Sequence, residues 1–193
     1  TSLGQIAAIN PTSGETLWSF DPVLYLDGRP AVHGFMTRGL AYWTDGEKER
    51  LFYAGGRTYL LSIDPSSGRP DPNFGRGGRV DLKRGLGRTI DPSLYAVSSP
   101  PVIAGDVVIV GSAMTEGTDY LEAPPGHVRG FNVRTGEMQW IFHTIPHPGE
   151  YGYDSWPPEA WSHTGGANVW THMSVDEELG LVYLPIGTTV PDY

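Results

Sequence analysis

"VRGFNVRTGEMQWIF", residues 128–142, reads as two short strands joined by a tight turn. A first strand ends at Asn132, three turn residues, Val133 to Thr135, follow, Gly136 closes the turn, and a second strand carries Trp140. Asn and Asp side chains accept hydrogen bonds from backbone amides just ahead of them, and glycine enters left-handed backbone at no steric cost, so this order of residues is turn chemistry. The same order recurs in "IAAINPTSGETLWSF" at 6–20 and in "LLSIDPSSGRPDPNF" at 60–74. The marker glycines Gly14, Gly68 and Gly136 stand 54 and 68 residues apart, which implies a core repeat lengthened by insertions. Trp18 and Trp140 follow their glycines by four residues, whereas Pro72 holds that place in the middle hairpin. A tryptophan recurring at one place in a repeat is expected to pack between neighbouring sheets.

Further strand candidates lie between the hairpins: "GLAYW" from Gly39, "RLFYAGG" from Arg50, "PPVIAGD" from Pro100 and "VVIVGSA" from Val107. Four strands from one hairpin to the next is the pattern of a β-propeller blade. The expected fold is therefore all-β, with two complete four-stranded antiparallel blades and parts of two others across residues 1–193. Such a count cannot close a ring of typically four to eight blades, so the chain is expected to be a section of a longer propeller. "LVYLPIG" from Leu181 is expected as the second strand of the last, incomplete blade, with Trp170 at the head of its partner strand.

Composition agrees with this reading. The chain carries 26 glycines and 17 prolines in 193 residues, and no long apolar-periodic segment between them supports a helix of ordinary length. With 13 Lys and Arg against 22 Asp and Glu, the net charge of −9 argues against nucleic acid as a general partner. The basic run Arg76, Arg79, Lys83, Arg84 and Arg88, set among glycines, reads as a solvated loop. Having no cysteine, the chain has no disulfide, thiolate metal site or cysteine nucleophile.

Familiar site motifs are missing. "HTIPH" at 143–147 spaces two histidines as a helical zinc pair would, but Pro146 forbids that helix. His143, His147 and His163, around "PGEYGYDSWPPEAW", are candidates for shaping a substrate entrance, or belong to an aromatic loop covering the top of a propeller.

The repeat A-x-[ND]-x-x-[TS]-G-x-x-x-W resembles the tryptophan-docking repeat of quinoprotein dehydrogenases, eight-bladed propellers that use pyrroloquinoline quinone (PQQ). Three further segments occur in the family's order. "RGLAYW" at 38–43 resembles the segment whose arginine contacts the quinone, which makes Arg38 a cofactor-binding residue; the plainer reading is a surface ion pair. A guanidinium presents a planar fork of donors suited to a tricarboxylated ligand. "SSPPVIAGDVVIVGSAMTE" at 98–116 resembles the next blade, placing Ser98 and Thr115 at the cofactor and Glu116 at a metal ion, with Met114 beside them. A carboxylate suits a hard cation, calcium or magnesium. "GGANVW" at 165–170 resembles the segment that supplies the aromatic floor beneath the quinone, with Asn168 at the cofactor's polar rim and Trp170 as the platform rather than another packing residue. "LVYLPIGTTVPDY" resembles the segment bringing a second metal ligand, for which Thr188 and Thr189 compete and Thr188 is preferred.

The details are closest to the sugar and polyol branch that includes membrane glucose dehydrogenase. Where methanol dehydrogenases carry an adjacent cysteine pair before the arginine, this chain has Val32 and His33; His33 either covers the upper face of the quinone or is a loop histidine. The resemblance implies oxidation of an alcohol, aldose or polyol in the periplasm, with electrons passing to a quinone or cytochrome. It also implies that a metal-polarised quinone carbonyl accepts hydride while an aspartate of a later blade takes the hydroxyl proton. No catalytic base is assigned here, Asp154 and Asp192 included, and the section alone is expected to be inactive. Two readings compete: a non-catalytic propeller of PQQ-like repeats serving as a protein-binding scaffold, and a sugar-binding module. Neither accounts for Arg38, Glu116 and Trp170 occurring together in order.

Overall fold

The computed structural model describes residues 3–23, 25, 36–55, 58–114 and 123–190. Two four-stranded antiparallel sheets form its centre. In the first, β3 (Ala41–Thr44), β4 (Glu49–Gly55), β5 (Tyr59–Ile63) and β6 (Arg79–Asp81) lie in chain order. In the second, β8 (Val102–Ala104), β9 (Val107–Val110), β11 (Val128–Asn132) and β12 (Met138–Phe142) do the same. Two-stranded hairpins flank them: β1 (Ile6–Ile9) with β2 (Thr16–Phe20), and β13 (Ser174–Asp176) with β14 (Leu181–Tyr183). A short pair, β7 (Tyr95–Ala96) with β10 (Ala113–Met114), connects the excursions before and after β8–β9. Among the described residues the α-helical content is one short helix, α1 (Ala160–His163), beside two 3-10 turns, and none of these is long and apolar enough to cross a membrane.

Side chains alternate across each strand, and both faces of the central strands are covered. In β4 and β5, Phe52, Ala54 and Leu60 join Val108, Val110 and Phe131 in the layer between the two large sheets. Tyr53, Leu61 and Ile63 face the other way, onto Ile6, Trp18 and Phe20 of the first hairpin. Ile109 and Val128 then meet Val169, Met173 and Val182 on the far side of the second sheet. Burial on both faces explains the continuous apolar runs "LFYAG" and "VVIV", which lack the polar alternation of a strand with one wet face.

The three hairpin turns are built alike. Asn10 Oδ1 accepts from the amides of Thr12 and Ser13, Asp64 Oδ1 from Ser66 and Ser67, and Asn132 Oδ1 from Arg134 and Thr135, all between 2.7 and 3.2 Å. Each glycine amide returns to the carbonyl of that Asn or Asp at 2.8 to 2.9 Å. Gly14, Gly68 and Gly136 sit at φ of 75°, 69° and 75°. The turn tips also meet their neighbours. Trp18 Nε1 donates to Pro65 O at 2.8 Å, and its ring lies so close to Gly68 that a methyl there would come within 2.5 Å of it. Against Gly136 the same place is held by Gly75 and Val80. This is what replaces a tryptophan where Pro72 departs from the repeat. The chain leaves the ladder after the Ile63–Pro70 bridge, buries Phe74 against Phe52, and only then forms β6.

Two expectations are revised. The closing strand ends at Tyr183, because Pro185 has no amide to donate and the chain turns there, Ile186 N bonding Leu184 O at 3.0 Å. Trp170 accordingly lies in the loop ahead of β13 instead of on a strand. The basic run is only partly solvated. Arg88 donates to the carbonyls of Ala123 and Thr164, and Lys83 pairs with Asp81 at 2.9 Å. Arg129, passed over in the sequence, is 1% exposed and donates to Leu82 O, Arg84 O and the Tyr95 hydroxyl at 2.6 to 3.0 Å. It joins β11 to the crossover between the large sheets.

Two predictions test these turns in the intact protein. Gly14→Ala meets nothing within 4 Å and costs only the left-handed backbone, about 1 kcal/mol. Gly68→Ala adds a collision with the Trp18 ring and should lose roughly 1–3 kcal/mol more in chemical denaturation. Equal losses would show that Trp18 does not press on the turn. The Ser66 hydroxyl, with the Ser66 and Ser67 amides, holds the Asp64 carboxyl below its usual range. Its contribution is present above the unfolded carboxylate value of about 3.9 and is lost as pH falls through the lower folded value. Asp64→Asn keeps the turn, as Asn10 and Asn132 do, and should flatten the fall in stability below about pH 4. An unchanged acid limb would contradict this.

Candidate functional site

The site is assembled from three distant segments. The loop ahead of β3 brings Arg38, the segment after β7 brings Ser98, and the loop ahead of β13 brings Asn168 and Trp170. Arg38, Ser98 and Trp170 meet at one backbone carbonyl. Trp170 O accepts from Arg38 Nη1 at 3.1 Å and from Ser98 Oγ at 3.2 Å. Arg38 Nη1 also reaches Ser98 O at 3.4 Å, and the guanidinium carbon stands 5.3 Å from the centre of the Trp170 ring. Ser98 is buried, whereas 44% of Trp170 is exposed. The indole is thus anchored through its own main chain and open to solvent on its side chain. Arg38 spends one of its nitrogens on carbonyls, and the rest of its fork makes no hydrogen bond among the described residues.

Close backbone packing fixes the loop that carries Trp170. A methyl at Gly165 would fall 2.2 Å from Ala123 O, one at Gly166 would fall 2.6 Å from Val190 N, and one at Gly126 would fall 2.2 Å from Gly166 O. The two glycines are therefore required by neighbouring protein backbone. Gly166 and Ala167 both adopt left-handed backbone, with φ of 78° and 50°. For alanine that conformation costs about 1 kcal/mol and persists only where surroundings impose it. Those surroundings are the returning chain. Ala167 N donates to Thr188 O at 2.6 Å, Gly187 N to Asn168 O at 3.0 Å, and Val190 N to Gly165 O at 3.2 Å. On the other side Ser112 N donates to Val169 O at 3.0 Å and Asn168 Nδ2 to Ser112 O at 2.9 Å. Asn168 is buried and braces the loop from inside. Thr188 is exposed and borders the loop directly, and a methyl at Gly187 would come 3.7 Å from Trp170 Nε1. Met114 is buried in β10. Thr115, Glu116, Val32 and His33 lie outside the described residues.

A second cluster stands behind this loop. His143 and His147 stack with ring centres 3.6 Å apart, and His127 completes the group at 4.7 and 5.9 Å. No helix is involved, as Pro146 requires. His127 escaped the sequence reading because nothing near it in the chain marks it. Its place follows from strand register: Val128 pairs with Phe142, which sets His127 opposite His143. Burial, reinforced by the neighbouring His143 and His147, pushes the His127 pKa down to about 3.

The comparisons with known proteins give the class. The family described as "PQQ: Glucose/ethanol/alcohol dehydrogenase, beta-propeller domain" matches residues 1–193, and the chain belongs to that family. Among individual relatives, it is 28% identical over 203 residues to the quinoprotein glucose dehydrogenase of Gluconobacter oxydans (strain 621H), covering 97% of this chain and 24% of that protein. It is 29% identical over 212 residues to the quinate/shikimate dehydrogenase (quinone) of Acinetobacter baylyi, covering 100% of this chain and 25% of that protein. The chain thus spans about a quarter of the length of these curated relatives. The fold matches the quinohemoprotein alcohol dehydrogenase of Comamonas testosteroni with a TM-score of 0.76 at 20% identity, over 98% of this chain and 27% of that one.

Proposed function

We propose that this chain is the cofactor-floor section of a PQQ-dependent dehydrogenase that oxidises an alcohol, aldose or polyol. The observation that carries the proposal is the Arg38–Trp170 arrangement, a guanidinium 5.3 Å from the centre of a half-exposed indole with both fixed to one carbonyl. A flat, conjugated, polycarboxylated ligand fits this donor set. The indole offers it a rigid apolar face, and the free part of the guanidinium fork offers charge-assisted hydrogen bonds. When bound, the quinone would serve as the two-electron acceptor. Trp170 would set its plane, Arg38 would fix its rotation in that plane, and Ser98 and Asn168 would keep the floor from tilting. Thr115 would border it.

Glu116 and Thr188 are proposed to hold a calcium or magnesium ion beside the floor, since hard cations take carboxylate and hydroxyl oxygens. No residue of this section is assigned as the base that accepts the substrate proton. That role, together with most substrate selection, falls to the remainder of the propeller. We propose that the two large sheets are complete blades of an eight-bladed ring joined by tryptophan docking, and that the flanking hairpins belong to two further blades. The groove lined by Trp140, Phe142, Val182, Tyr183 and Leu184 is where the next blade would pack, and it leaves Phe142 and Tyr183 about half exposed. A periplasmic location and a quinone or cytochrome electron acceptor complete the reading.

The test is titration of PQQ with calcium or magnesium into the intact protein purified without cofactor, following tryptophan fluorescence and dye-linked oxidation of glucose, glycerol and simple alcohols. Saturable quenching and turnover are expected, with Trp170→Ala and Arg38→Lys weakening PQQ binding at least tenfold and Glu116→Ala weakening metal binding and abolishing activity. Absence of binding at micromolar PQQ would overturn the proposal in favour of a non-catalytic scaffold.

A further inference from the structure

The histidine cluster behind the floor is independent of the quinone reading and has the makings of a site of its own. His127, His143 and His147 each offer a ring nitrogen, and these three nitrogens lie within 4.8 Å of one another. His127 is 4% exposed, and its Nδ1 is buried with no hydrogen-bond partner. A buried ring nitrogen left unpaired costs free energy unless something outside the protein's own donors and acceptors satisfies it. His143 is oriented by a carboxylate: its Nδ1 lies 2.7 Å from Glu150 Oε1, leaving Nε2 as the lone-pair atom. Glu150 is in turn held by the His147 amide, which donates to Oε2 at 2.7 Å. A carboxylate that fixes the tautomer of an imidazole ligand is the usual outer support of a metal-bound histidine.

We propose that His127, His143 and His147 bind a first-row transition-metal ion such as Zn2+, with Glu150 as the positioning carboxylate. Three imidazoles suit zinc, cobalt, nickel or copper and do not suit calcium or magnesium, which take oxygen ligands. The site is therefore chemically separate from any alkaline-earth ion at Glu116. Zinc bound by three imidazoles requires nitrogens 2.0–2.1 Å from the ion with the ion in the plane of each ring, so His143 and His147, now stacked within 6° of parallel, would have to rotate apart as well as draw in around the ion. Burial disfavours the charged form of His127, and burial beside His143 disfavours that of His147. The fourth position stays open to water.

The placement suggests what such an ion does. His127 precedes β11, His143 follows β12, and His147 is returned by the turn around Pro146, with buried Ile145 anchoring it against Ala160 and Ala167. An ion there would clamp the 143–163 excursion to the open end of the β11–β12 hairpin. Gly126, next to His127, lies directly against Gly166 and Ala167 of the strained loop. The clamp would thereby stiffen the backbone that aims Trp170.

The test uses the intact protein, stripped with chelator and titrated with ZnSO4 alone, by calorimetry and by metal analysis after gel filtration. Wild type is expected to take up one equivalent more than His147→Gln, and Glu150→Gln to bind that equivalent about ten- to a hundredfold more weakly. His163→Gln, altered in the same loop outside the cluster, should bind as wild type does. Co2+ in place of zinc should give the intense visible absorption of a four-coordinate ion in wild type and lose it in His147→Gln. Excess CaCl2 should displace nothing. Equal uptake by wild type and His147→Gln, or a weak, octahedral-type cobalt spectrum in wild type, would overturn the proposal.

Discussion

The three repeat hairpins each turn on a glycine held in left-handed backbone, and at two of them, Gly68 and Gly136, the neighbouring unit is packed against that glycine, while Gly14 faces open space. At Gly68 the neighbour is the Trp18 ring, and at Gly136 it is Gly75 with Val80. The turn therefore does two jobs at once: it reverses the chain through hydrogen bonds from its Asn or Asp, and it sets how closely the next sheet can approach. With sheets stacked at that distance, the central strands bury both faces, which is why β4, β5 and β9 carry apolar residues in unbroken runs. The same economy of space governs the floor loop, where Gly126, Gly165 and Gly166 let three backbones meet without a side chain between them.

Strain and openness coincide at that loop. Ala167 is held in left-handed backbone by a bond to Thr188 O, and Trp170 three residues on is left half exposed with its carbonyl gripped by Arg38 and Ser98. The indole is left half open to water on a loop whose backbone its surroundings hold in a strained conformation. A flat cofactor lying on the indole would explain it. In the proposed reading Trp170 would set the plane of such a cofactor and Arg38 its rotation and charge complement.

What was legible in the sequence was local. The Asn-or-Asp to Gly turns, the paired strands around them and the departure at Pro72 all follow from residues within a few positions of each other. Arg38, Ser98 and Trp170 were connected in the sequence only through motif order, and their meeting at Trp170 O joins residues 72 and 132 apart in sequence. Arg129 and Arg88 were not legible, because an arginine satisfied by carbonyls 35 to 76 residues away looks in sequence like any surface cation. His127 was hidden for the same reason, its partner His143 being fixed by the register of β11 on β12. The overestimated last strand has a plainer cause: apolar alternation continued past Pro185, while the hydrogen-bonding capacity did not.

The central claim is that the exposed face of Trp170 is a cofactor platform and not a packing surface awaiting a neighbouring strand. A crystal structure of the intact protein with PQQ and calcium bound decides between these directly. The account predicts the quinone ring stacked on the Trp170 indole with the Arg38 guanidinium on its carboxylate or carbonyl oxygens. A Trp170 ring covered by protein side chains, with the quinone elsewhere, would contradict it.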